Sequence, residues 1–80
     1  MHELGLLRQI GIVVEKAVAA NKVETIRYIL LEVGDRSGVV PQYLKKLFPV
    51  AADLFPAFKN AELRIRTVCG NRLVIKEIGY

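Results

Sequence analysis

Apolar positions fall in two rhythms along this chain. From about Leu4 to Ala20, Leu7, Ile10, Val14 and Ala17 recur at the three-to-four spacing of one helical face. Leu6, Val13 and Val18 widen that stripe, while Arg8, Glu15 and Lys16 lie mostly opposite it. The pattern predicts a first helix with one face on a core, ended near Asn21-Lys22. Thr25 to Val33 is instead rich in β-branched and aromatic residues, which suit a pleated surface, and reads as a first strand. Ile29, Leu31 and Val33 alternate on one side of it, and Ile26, Tyr28 and Leu30 on the other. Apolar groups on both faces imply a second covering layer, such as another subunit, over Tyr28 and Leu30.

Gly34-Asp35-Arg36-Ser37-Gly38 is a turn cluster, and Pro41 suits the first position of a second helix, where its missing N–H is no loss. That helix runs toward Asp53 with Leu44, Leu47, Phe48 and Ala51 inward. Pro49 lies inside it and removes the amide that would bond the carbonyl of Lys45, so a kink or break is expected there. Leu54-Phe55-Pro56-Ala57-Phe58 is an apolar connector whose phenylalanines are expected beneath the core. Glu62 to Val68 and Arg72 to Ile78 read as two strands joined as a hairpin by Cys69-Gly70-Asn71. The order α-β-α-β-β predicts an α+β (mixed α/β) fold, two helices packed on a small three-stranded sheet.

Length and composition narrow the classes. At 80 residues the chain forms a single domain, residues 1–80, and its 52% hydrophobic and 25% charged content marks a globular core rather than a disordered segment. The formal charge of +4 permits an acidic partner, but Lys and Arg are scattered along the chain. A nucleic-acid reading would rest on Arg64, Arg66, Arg72 and Lys76, in strands without the aromatic residues that stack bases, so no nucleic-acid partner is expected. No apolar run approaches the ~20 residues of a membrane span. With Cys69 as the sole cysteine and no basic segment leading an apolar one, a cytoplasmic location without a membrane partner is expected.

Candidate chemistry concentrates at the start. His2 is the single histidine, set beside the terminal amine of Met1 and the first backbone amides. An imidazole at position 2 can close a chelate ring through Nδ1 with its own amide nitrogen and the terminal amine, a nitrogen-rich set suited to nickel or copper in tetragonal geometry. Glu3 adds a carboxylate within reach, although an acidic residue in the first turn of a helix is also favoured by the helix dipole alone. Catalysis has little support: Ser37 and Cys69 have no base placed near them by any motif, and residues 34–38 lack the Gly-Lys-Ser/Thr ending of a phosphate loop. No enzyme activity is expected.

These pieces together resemble the nickel-binding domain of the HypA/HybF metallochaperone family. Met1-His2-Glu3-Leu4 matches the start of that family. Leu31-Glu32-Val33-Gly34-Asp35-Arg36-Ser37-Gly38-Val39 matches its strand-to-turn signature, Pro41 follows at the same spacing, and Leu73 to Ile78 is similar to its last strand. The resemblance implies Ni(II) bound at the amino terminus by His2 and Met1, with Glu3 in binding or partner contact, for maturation of nickel-iron hydrogenase or urease. It also implies a maturation GTPase or apo-hydrogenase as recipient. Full-length members insert a zinc domain with two C-x-x-C pairs between the last two strands; here Cys69-Gly70-Asn71 alone stands there, near a turn at 68–72. One thiolate cannot supply four ligands, so no zinc is expected and Cys69 reads as a turn residue. The alternative is a metal-free interaction module, assembling through Tyr28, Leu30, Phe55 and Phe58 with a possible homo-oligomer.

Overall fold

A computed structural model describes residues 3–80. The expectations placed on Met1 and His2 lie outside the described residues. The elements follow the expected order: α1 (Glu3–Ala20), β1 (Tyr28–Gly34), α2 (Pro41–Leu54), a single 3-10 turn (Pro56–Phe58), β2 (Glu62–Val68) and β3 (Leu73–Gly79).

The periodic stripe of α1 is what the core uses: Leu7, Ile10, Val14 and Val18 are buried, whereas Val13 stays half exposed. Gly11 interrupts the stripe for a steric reason. A Cβ there would lie 2.5 Å from the ring of Phe55, so the close approach of that ring requires glycine. From α2, Leu44, Phe48 and Ala51 face the same core, and Ile29, Leu31 and Val33 of β1 form its floor. Phe58 is buried between Phe48 and Phe55, at ring-centroid distances of 5.0 and 6.0 Å, which bears out the connector's expected place beneath the core.

Two sequence expectations need correction here. The helix α2 continues through Pro49 without a break. Pro49 and Lys45 both lie on the exposed side, where water can satisfy the freed carbonyl and the missing bond falls on the solvent face rather than in the core. Ile26, expected on the face of Tyr28 and Leu30, is almost fully buried. The strand begins two residues after it, and the Ile26 N–H donates to the carbonyl of Ala57 at 2.9 Å, so strand alternation does not reach that position.

The largest correction concerns the last two strands. They do not form a hairpin: the sheet order is β2-β1-β3, with β1 parallel to β2 on one side and antiparallel to β3 on the other. The β1-α2-β2 segment is therefore a parallel crossover unit, and residues 69–72 form an arch over the end of β1 that carries the chain from one edge of the sheet to the other. Local turn residues look alike in a hairpin and in an arch, which is why sequence alone suggested the simpler connection.

A bulge settles the register of β3. Its pairing with β1 jumps from Leu30↔Glu77 to Leu31↔Ile75, leaving Lys76 as the extra residue. Strict alternation from Leu73 and Ile75 would turn Glu77 toward the helices. The inserted residue resets the pleat, so Ile78 packs against the core and Glu77 stays outside.

On the outer face of the sheet Tyr28 is covered from its own chain, while Val74 stays 46% exposed. The Arg64 guanidinium lies 3.9 Å over the Tyr28 ring and bonds Glu62 at 2.9 Å, and Arg66 pairs with Glu32. Tyr28 thus has a covering group from its own chain, which removes the need for a second layer over it. Two of the four basic residues considered for nucleic acid already have carboxylate partners on this face.

Candidate metal site at the amino end of the first helix

Several residues of the Leu31–Val39 signature have a structural task. Leu31 and Val33 are core residues. Gly34 ends β1 beneath the arch, where a Cβ would fall 2.5 Å from the carbonyl oxygen of Gly70 and 2.9 Å from the nitrogen of Arg72. Three backbone bonds fasten the arch to this point: Gly34 N–H to the carbonyl of Arg72 at 2.7 Å, Asp35 N–H to that of Val68 at 2.8 Å, and Arg36 N–H to that of Gly70 at 2.7 Å. The Gly70 N–H donates in turn to Asp35 Oδ1 at 3.1 Å. Ser37 Oγ donates to the Gly34 carbonyl at 2.7 Å and accepts from the Val39 N–H at 3.2 Å, the local side-chain turn that serine favours.

The turn delivers the chain to Val40, the residue that caps α2. Val40 has no side-chain oxygen, and Pro41 follows as the first helical residue with no N–H to offer. The cap comes from the other helix. The carboxylate of Glu3, in the first turn of α1, accepts the Val40 N–H at 3.2 Å, and Glu3 is the one buried charged residue among those described, at 5% exposure. Its negative charge lies at the amino end of both helices, where their dipoles favour it.

Of the three residues expected to hold metal, the structure therefore describes Glu3 alone, seated in the fold with its carboxylate turned to Val40. Among the described residues no group of three His, Cys, Asp or Glu side chains converges. Cys69 is exposed on the arch, and its connection to β3 spans Gly70, Asn71 and Arg72. Sequence reasoning missed the partnership of Glu3 with Val40, because a backbone donor leaves no residue signature. One signal was present: the position before Pro41 is a valine, so a cap for α2 had to come from elsewhere.

Beside this site runs an apolar groove of about 500 Å³ between α1 and β3, lined by Leu6, Gln9, Ile10, Val13, Ser37, Val39, Asn71, Leu73 and Ile75. None of these residues is charged. The surface expected for a metal-free module is dispersed, since Phe58 is core, Phe55 packs on Gly11, and Tyr28 lies under Arg64 on the opposite face of the sheet.

The fold is a two-helix, three-stranded α+β domain with a buried acidic residue at the amino end of its first helix. Residues 1–74 match the family described as HypA, hydrogenase/urease nickel incorporation, metallochaperone. The chain belongs to the HypA family. No curated protein and no solved structure matches it. Among the described residues no helix is long and apolar enough to cross a membrane.

Proposed function

We propose that this chain takes up Ni(II) at its amino terminus and passes it by ligand exchange to a maturation GTPase or an apo-hydrogenase. The ligands are the amine of Met1 and the amide and Nδ1 nitrogens of His2, a set whose nitrogen donors suit nickel. The observation that carries this reading is the family match, which begins at residue 1 and includes His2 and Glu3. Glu3, immediately after His2 in the chain, is buried and accepts a hydrogen bond from Val40, so the proposed ligands adjoin a fixed point of the fold. Nickel is cargo here, and its transfer requires no catalytic group.

The test is calorimetric titration of a tag-free chain with Ni(II), beside His2→Ala and a version with one residue added before Met1. The expected result is one-to-one binding lost in both variants. Binding indifferent to both changes would refute the amino-terminal site.

A metal-free interaction module is the second reading, and the uncharged groove beside α1 favours it. Under that reading His2→Ala would leave every interaction of the chain with maturation proteins intact, whereas Val13→Glu, at the groove wall, would abolish it.

A further inference from the structure

We infer that α2 pairs with its counterpart in a second copy of this chain, running antiparallel to it, through an apolar stripe that the fold leaves in water. Tyr43, Leu47, Val50 and Leu54 follow one another at alternating spacings of four and three, so they share one face of the helix. The core uses a different face, that of Leu44, Phe48 and Ala51. Tyr43, Val50 and Leu54 are 54%, 44% and 54% exposed, and Leu47 alone is partly covered. Apolar residues scattered singly over a surface are ordinary, whereas a row at heptad spacing along the length of a surface helix has the form of a helix-pairing seam.

The flanks of the stripe choose the partner and its direction. Lys46 and Asp53 lie along one flank, both exposed and neither with an ion-pair partner among the described residues. Leu44 and Ala51 lie along the other flank and are fully buried in their own core. A parallel copy would set the charged flank against Leu44 and Ala51 of its neighbour. An antiparallel copy sets it against itself: about the twofold axis Leu47 meets Val50 of the other copy, Tyr43 meets Leu54, and Lys46 of each lies across from Asp53 of the other. Within one helix Lys46 and Asp53 are about 10 Å apart along the axis and do not pair. The stripe is therefore self-complementary in charge as well as in apolar order, which is the property a second copy requires. A single helix of 14 residues presents a small interface, so the dimer is a weak one that dissociates on dilution.

The experiment is sedimentation equilibrium of the tag-free full chain over about two decades of concentration, up to ~1 mM, where mass action populates a weak dimer. The expected result is a monomer–dimer equilibrium that goes no further. Val50→Glu, which sets two carboxylates in the seam, is expected to weaken it at least about tenfold. Lys46→Asp alone and Asp53→Lys alone are each expected to weaken it about threefold to tenfold, because each turns two attractive contacts into repulsive ones. Lys46→Asp combined with Asp53→Lys is expected to return it to within about twofold of wild type, since the reversed charges again face their opposites. All three positions are exposed in the single chain, and circular dichroism checks that each variant keeps its helices. Should Val50→Glu not fold, the charge reversals decide alone. A wild-type chain that stays monomeric throughout overturns the inference and leaves the stripe to a partner of different sequence. A dimer indifferent to Val50→Glu overturns it by placing the contact elsewhere, and a dimer that the double reversal fails to restore overturns the antiparallel pairing.

Discussion

Gly34 lies directly beneath Gly70, so close that a Cβ on Gly34 would meet the Gly70 carbonyl carbon at 2.6 Å. The obstacle is backbone fastened by its own hydrogen bonds, with no flexible side chain to yield. Gly34→Ala is expected to cost about 2 kcal/mol or more, in the upper part of the range for overpacking. Urea denaturation measures it, and a change within about 0.5 kcal/mol of wild type would mean that the arch adapts freely.

The connection between α1 and the 3-10 turn depends on a second buried-end hydrogen bond. Glu15 Oε2 accepts the N–H of Ala57 at 3.0 Å, and Ala57 is fully buried. Glu15→Ala leaves that N–H without its acceptor and is expected to destabilise the fold by about 1–3 kcal/mol. Glu15→Gln keeps an acceptor oxygen and is expected to cost less than half as much. Thermal melting of the two variants side by side checks the order, and equal losses in both would mean that charge rather than hydrogen bonding matters there.

Tyr28 predicts a behaviour at high pH. Its hydroxyl donates to Glu77 Oε2 at 2.5 Å, and that bond, with desolvation and the Glu77 charge, pushes its pKa above the ordinary value of 10.0 against the opposing pull of Arg64 and Arg27. The folded state therefore favours the neutral phenol. The stabilising contribution is fully present below the ordinary tyrosine value and is lost as pH rises through the raised one. Ultraviolet titration should show Tyr28 ionising above the ordinary tyrosine value, and Glu77→Gln should lower it. A titration curve that Glu77→Gln leaves unchanged would contradict the contact.

The legible part of this fold was the part written in side-chain periodicity. Leu7, Ile10 and Val14 gave α1, Leu44, Phe48 and Ala51 gave the inward face of α2, and Leu31 with Val33 marked the buried side of β1. What stayed hidden was carried by backbone. Whether Val68 and Leu73 neighbour each other or flank β1 is decided by long-range pairing, to which Cys69-Gly70-Asn71 contributes no preference. The extra residue at Lys76 shows in sequence as a break in alternation before Ile78, yet it acquires meaning only beside its partner strand. At the candidate site the same division holds. His2 and Glu3 were visible as residue types, but the acceptor role of Glu3 depends on the amide of Val40, and amides look the same at every position.

Nickel uptake by amine, imidazole and amide nitrogens must release protons, so affinity is expected to fall as pH falls and protons compete for the same atoms. Calorimetry in buffers of different ionisation enthalpy counts those protons. Binding at Met1 and His2 predicts net proton release on uptake, and a heat that does not depend on the buffer would exclude amide coordination.

The ligand shell of bound nickel tests the account most directly. X-ray absorption of the tag-free chain loaded with one equivalent of Ni(II) is predicted to show a nitrogen-dominated shell with the multiple scattering of a single imidazole and no sulfur. A shell containing sulfur from Cys69, or one made of oxygen without imidazole, would contradict an amino-terminal site at Met1 and His2.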